Sequence, residues 1–157
     1  MSVIKTFLFS LFLIAGFSGC EKKQISTELQ EVHWDRDMCE RCKMVTSDRH
    51  HSVQVINPKT GRSYMFDDIG CALLWFDEEK IAWKEQAKVW ITDAKTGEWI
   101  DAREAFYDAG NVTPMAYGFS AHTKKEDIKE SQKVISYDAL SVQVHKIEAQ
   151  NNQRRAY

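Results

Sequence analysis

Ser52-Val53-Gln54-Val55-Ile56-Asn57-Pro58-Lys59-Thr60-Gly61-Arg62-Ser63-Tyr64-Met65-Phe66-Asp67-Asp68-Ile69-Gly70-Cys71-Ala72-Leu73-Leu74-Trp75-Phe76 is the most structured-looking run of this chain. Val53, Val55 and Ile56 alternate with polar residues, Pro58 to Gly61 supply turn chemistry, and Arg62 to Phe66 resumes an extended pattern, so a β-hairpin is expected. Asp67-Asp68 then offers a helix cap, and Ile69, Leu73, Leu74 and Phe76 recur at helical spacing. Lys88 to Thr92 (KVWIT) reads as a short buried strand, and Ala94 to Gly97 as a second turn leading into Glu98 to Asp101. The order is β-β-α-β.

The rest of the chain repeats that order loosely. Glu98 to Ile100 and Ala116 to Ala121 read as extended, Lys124 to Gln132 has helical composition, and Lys133 to Tyr137 (KVISY) reads as a strand. The parallel between Phe66, helix, Val89 and Phe119, helix, Val134 suggests an internal duplication. The expected fold class is therefore α+β: two small β-β-α-β halves, at about residues 35–93 and 94–150. Residues 138–150 extend as a helix through Leu140, Val144 and Ile147, and 151–157 read as a polar tail.

At the amino end, Lys5 and the apolar run Phe7 to Phe17 are too short to span a bilayer comfortably and read as a secretory signal. Phe17-Ser18-Gly19-Cys20 resembles a bacterial lipobox. Residues 1–19 are then a lipoprotein signal peptide, Cys20 the lipidation site, and residues 20–34 a tether. On this reading the protein is exported and lipid-anchored to the extracytoplasmic face of the cell envelope. The alternative is ordinary cleavage, with Cys20 a spare thiol. Lys and Arg number 21 against 23 Asp and Glu, with no basic stripe, so nothing points to nucleic acid. There is no phosphate loop, nucleophile elbow or HExxH helix, and no enzyme activity is expected.

Chemistry concentrates instead in Cys39-Glu40-Arg41-Cys42-Lys43-Met44. Two thiols and a thioether together favour Cu(I), a soft ion content with few ligands. The CxxC spacing lets two sulfurs face one ion, Met44 can reach the same side, and Arg41 and Lys43 beside the thiols favour thiolates. Beyond Cys20 the cysteines are odd in number (Cys39, Cys42 and Cys71), which argues against a pure disulfide framework. A local Cys39–Cys42 disulfide remains an alternative.

Three blocks in order resemble the NosL family, the lipoprotein accessory factors of nitrous oxide reductase. They are Cys39-Glu40-Arg41-Cys42-Lys43-Met44, Met65-Phe66-Asp67-Asp68-Ile69-Gly70-Cys71, and Thr113-Pro114-Met115-Ala116-Tyr117-Gly118 preceded by Glu104 to Tyr107. The resemblance implies a Cu(I) chaperone that delivers copper outside the cytoplasm to a cuproenzyme such as nitrous oxide reductase. It places the family's cysteine–methionine motif on Cys39, Cys42 and Met44. Its Pro-Met-Gly-like block falls on Pro114-Met115, with Ala116 in the glycine's place, and makes Met115 a candidate ligand.

Further candidates are Cys71, whose thiol the helix macrodipole would acidify, and Met65, His50, His51 and His122. Each has a plain alternative: core packing for Cys71, Met65 and Met115, a solvated loop for the histidines, and capping for Asp67-Asp68. Two other functions compete. One is a thiol–disulfide oxidoreductase using Cys39 and Cys42, disfavoured because Val45 to His51 has no helical period. The other is a structural zinc site of Cys39, Cys42, Cys71 and a histidine, which has no use for Met44.

Overall fold

The computed structural model describes residues 25–155. The expected signal peptide, Cys20, the start of the tether and the last residues of the tail lie outside them.

The hairpin forms as expected from β1 (Val53–Ile56) and β2 (Ser63–Phe66), with Gly61 at φ 73° in its turn, where a side chain is disfavoured. Next come α1 (Ile69–Glu78), β3 (Lys88–Thr92) and β4 (Trp99–Asp101). These strands make one antiparallel sheet in the order β2-β1-β3-β4. β1 is paired on both edges, and all four of its residues are buried, so both of its faces are covered. Val53 and Val55 point with Phe66, Val89 and Ile91 into the main core. Gln54 lies on the opposite face, directly across from Met65 and Trp90.

That second face explains what happens to the expected tether. The backbone N–H of Gln30 donates to Gln54 Oε1 at 2.8 Å, and Gln54 Nε2 donates to the Gln30 carbonyl at 3.2 Å. The Trp90 indole N–H donates to the Thr27 carbonyl, and Trp34 stacks on Trp99. Chain from about Thr27 onward is thus part of the fold. A buried amide such as Gln54 needs such partners, because an unsatisfied one costs about 1–3 kcal/mol.

α1 is buried at every residue from Ile69 to Phe76, since the sheet covers one side and α2 (Tyr137–Arg155) packs against another. The stripe of α2 that faces inward is Tyr137, Leu140, Val144 and Ile147, while Val142 looks outward. Among the described residues no helix is long and apolar enough to cross a membrane.

A second antiparallel sheet consists of β5 (Phe106–Ala109) and β6 (Phe119–His122). Tyr107 in β5 also forms an antiparallel bridge with Ile135. The α+β class stands, as two antiparallel sheets and two helices. Local details differ from expectation. Lys124 to Gln132 is not a helix; it holds only a 3-10 turn at Lys125–Asp127. Ile128 is the one buried apolar residue there, so no apolar stripe drives a helix onto the core. Lys133 to Tyr137 gives a single bridge rather than a strand, β5 was not anticipated, and α2 runs into the expected tail as far as Arg155.

Candidate metal centre

The sulfur motif sits on a tight loop closed by a bridge between Met38 and Val45. The Cys39 N–H donates to the Met44 carbonyl at 2.8 Å, and the Lys43 N–H returns to the Cys39 carbonyl at 3.0 Å, with Lys43 at φ 60°. The Glu40 N–H donates to the Met65 carbonyl near the end of β2 at 2.8 Å, fastening the loop to the hairpin. Arg41 does the rest. Its guanidinium reaches both carboxylate oxygens of Glu78 on α1, Glu148 on α2 and the Tyr117 hydroxyl, all within 3.0 Å. Its charge is thereby compensated, so Arg41 is a structural clamp on the loop and not the expected activator of the thiols.

The start of α1 supplies the remaining groups. Asp68 is the N-cap: its carboxylate accepts from the Gly70 amide at 2.9 Å, the Thr113 hydroxyl at 2.6 Å and the Met115 amide at 3.3 Å. Asp67 turns the other way. Its carboxylate lies 3.5–3.6 Å from Cys42 Sγ. Cys39, Cys42, Cys71 and Asp67 place one ligand atom each within 4.8 Å of one another. Cys39 and Cys71 have no exposure and Asp67 only 2%, whereas Cys42 is partly exposed and forms the open side.

The three thiols do not titrate alike. Hydrogen bonding from Cys71 pulls the Cys39 thiol down to about 4, against the cost of burial. Burial, together with the charge on Cys39, pushes Cys42 up to about 12. The bond to Cys39, then burial, drives Cys71 strongly upward. The expected acidification of Cys71 by the helix is therefore reversed, because its thiol serves as a donor to a neighbouring thiolate. Burial and the Cys39 charge raise Asp67 to about 6.

Of the residues expected from the sequence, the structure brings Cys39, Cys42 and Cys71 together. Met44 follows on the same loop but its side chain is 52% exposed. Met115 is half-buried against the core, its amide bonded to Asp68. Met65 is buried and accepts a contact from Gln54 Nε2 at 3.5 Å on the opposite face of the sheet from Phe66. The histidines are not members of the cluster. His51 lies between Asp48 and the Ser120 hydroxyl, His122 Nε2 contacts Asp108, and His50 is exposed beside Gly97. Sequence reasoning missed Asp67 as a donor. The available signal was its i, i+4 spacing from Cys71, together with the fact that only one of two adjacent aspartates can be the cap.

No family model matches the sequence, and no curated protein sequence matches it. The fold does have a likeness. The chain is similar to the crystal structure of the copper chaperone NosL from Shewanella denitrificans, at 16% identity and a TM-score of 0.59, over 72% of this chain and 95% of that one. The fold is NosL-like, and the site it carries is a cysteine cluster suited to metal.

Proposed function

We propose that this protein is an extracytoplasmic, membrane-anchored Cu(I) chaperone that hands copper to a cuproenzyme such as nitrous oxide reductase, and that it has no catalytic activity of its own. The observation that carries the reading is the convergence of three thiols, two fully buried and one at the surface. Soft thiolates suit Cu(I), and a buried pair protects the ion from adventitious ligands. Cys42 at the rim gives an incoming ligand somewhere to attack, as exchange between proteins requires. The likeness to a copper chaperone supports the same reading. Met44 and Met115 complete the proposed set as thioethers at its edge, and Cys20 is the proposed anchor.

The thiol–disulfide alternative fares poorly on geometry. The acidic thiol, Cys39, is wholly buried, and its loop does not open a helix. A redox nucleophile needs access to its substrate.

The test is an anaerobic titration of the reduced protein, purified in detergent, with Cu(I) against a chromogenic chelator. Near-stoichiometric, tight binding that is lost in Cys39→Ser/Cys42→Ser is the expected outcome. Unchanged binding in the double variant, or none in the wild type, defeats the proposal.

A further inference from the structure

We infer that Asp67 is a fourth ligand that lets the same cluster take a divalent thiophilic cation of the zinc type, and that it is the residue by which the site distinguishes such an ion from Cu(I). This rests on reading the cluster as a metal site.

Asp67 lacks a structural reason to be where it is. It is 2% exposed, and its partners among the described residues are the thiols of Cys39 and Cys42 and its own backbone N–H. Among the described residues no lysine or arginine pairs with it. A carboxylate removed from water without a cation is costly, so such groups are normally paired or bound to metal. Its neighbour makes the contrast. Asp68 is just as buried, but the Gly70 and Met115 amides and the Thr113 hydroxyl account for it fully. One aspartate builds the helix cap; the other is aimed at sulfur.

The donor set then has a definite chemistry. Three thiolates already satisfy Cu(I), which has little use for a hard oxygen. Three sulfurs and one carboxylate oxygen make the four-coordinate set that zinc accepts. Around such an ion, at bond lengths of about 2.0–2.3 Å, tetrahedral ligand atoms lie roughly 3.3–3.8 Å apart. The four atoms here are within 4.8 Å of one another, so they need close by only about an ångström. The backbone already holds them, since Cys39 hangs from β2 through Glu40, and Asp67 and Cys71 straddle the cap of α1.

Co(II) is the optical probe. The reduced full-length protein, titrated anaerobically, is expected to show intense thiolate-to-cobalt charge transfer and tetrahedral d–d bands that Zn(II) bleaches. In Asp67→Asn, which keeps the shape and removes the charge, Co(II) affinity should fall by roughly 10–100-fold while Cu(I) affinity moves by less than about threefold. Glu79→Gln, at an exposed carboxylate just past the end of α1, should leave both affinities within about threefold and controls for the loss of a carboxylate as such. Wild-type protein that holds Cu(I) but gives no tetrahedral cobalt spectrum overturns the inference alone, as does an equal loss of both metals in Asp67→Asn. Cobalt binding that depends on Asp67 in a protein that cannot hold Cu(I) would sustain the inference and sink the copper reading.

Discussion

The two halves of this molecule follow one pairing plan and are put to different uses. In the first, β1 lies between β2 and β3; in the second, β5 lies between β6 and the bridge at Ile135. After β2 the chain builds α1, buried from Ile69 to Phe76, whereas after β6 it makes one 3-10 turn. The half with the helix encloses Cys39, Cys71 and Asp67 in apolar surroundings. The second half, whose only helix among the described residues comes later as α2, ends β6 in Ser120 and His122, bonded to His51 and Asp108. The cysteine cluster thus sits at the start of the inserted helix, which brings Asp67 and Cys71 to the loop that carries Cys39 and Cys42. The second half contributes a loop, Thr113 to Tyr117, that Asp68 holds against the start of α1.

If the halves depend on each other at that seam, Gly70→Ala should be the most damaging single change. A Cβ at Gly70 would lie 2.2 Å from carbons of the Tyr117 ring, far inside van der Waals contact. Tyr117 cannot yield freely, because its hydroxyl donates to Glu148 at 2.7 Å and accepts from Arg41. The expected loss is about 3 kcal/mol in urea unfolding. In a Tyr117→Ala background the same change should cost at least about 1 kcal/mol less, and equal costs in both backgrounds would show that the seam is not where the strain arises.

The second tie between the halves is Asp93, just past β3. It accepts from the Lys95 and Thr96 amides in the β3–β4 turn and from the Thr123 amide and hydroxyl beyond β6. Burial alone would raise its pKa, but those donors win and hold it at about 2. The folded value lies below the unfolded one of about 3.9, so the contribution is complete above about pH 4 and is lost as pH falls toward 2. Asp93→Ala should cost about 2 kcal/mol at pH 7, and its deficit should shrink between about pH 4 and pH 2. Urea midpoints at the two ends of that range check it; a pH-independent deficit would mean that the turn, not the charge, matters.

Arg41 spans both helices, so its loss should be smaller but also felt in both. Arg41→Gln breaks the ion pairs from the loop to Glu78 and Glu148 and should cost about 1–2 kcal/mol, with Arg41→Lys no better, since a single ammonium cannot reproduce the fork. Full rescue by lysine would reduce the clamp to a simple charge.

Much of this was legible in the sequence where local signals agreed. The hairpin, the cap and α1 carry turn residues, an aspartate and a helical apolar period in register, and they formed as read. The second half was read less well, because its strands are paired through distant contacts. β5 is identified by its partners Ala121 and Ile135, not by alternation in Phe106-Tyr107-Asp108-Ala109. Composition suggested a helix at Lys124 to Gln132, and composition without an apolar face has nothing to bury. At the site, the cysteine spacing was visible. The inward turn of Asp67, the capture of Arg41 by two helices, and the exposure of Met44 depend on which face each backbone presents, which the local pattern does not encode.

The finest test of the comparison is at Ala116, where the second half's loop bends toward the first. Ala116 adopts φ 59°, the left-handed region in which a Cβ costs about 1–2 kcal/mol. The loop keeps the shape that a glycine would favour because neighbours over-determine it: the Ala116 amide donates to the Thr113 carbonyl at 3.0 Å, and the Thr113 hydroxyl holds both Asp68 and the Gly118 amide. Ala116→Gly removes the steric cost but adds about 0.4–1 kcal/mol of unfolded-state entropy. The net should be a gain of about 0.5 kcal/mol, read as a small upward shift in the urea midpoint at unchanged slope. Metal affinity should not move, since the loop's shape is already set. A gain in affinity without a gain in stability would instead mean that Ala116 holds Met115 away from the cluster, and that the second half restrains the site it helps to close.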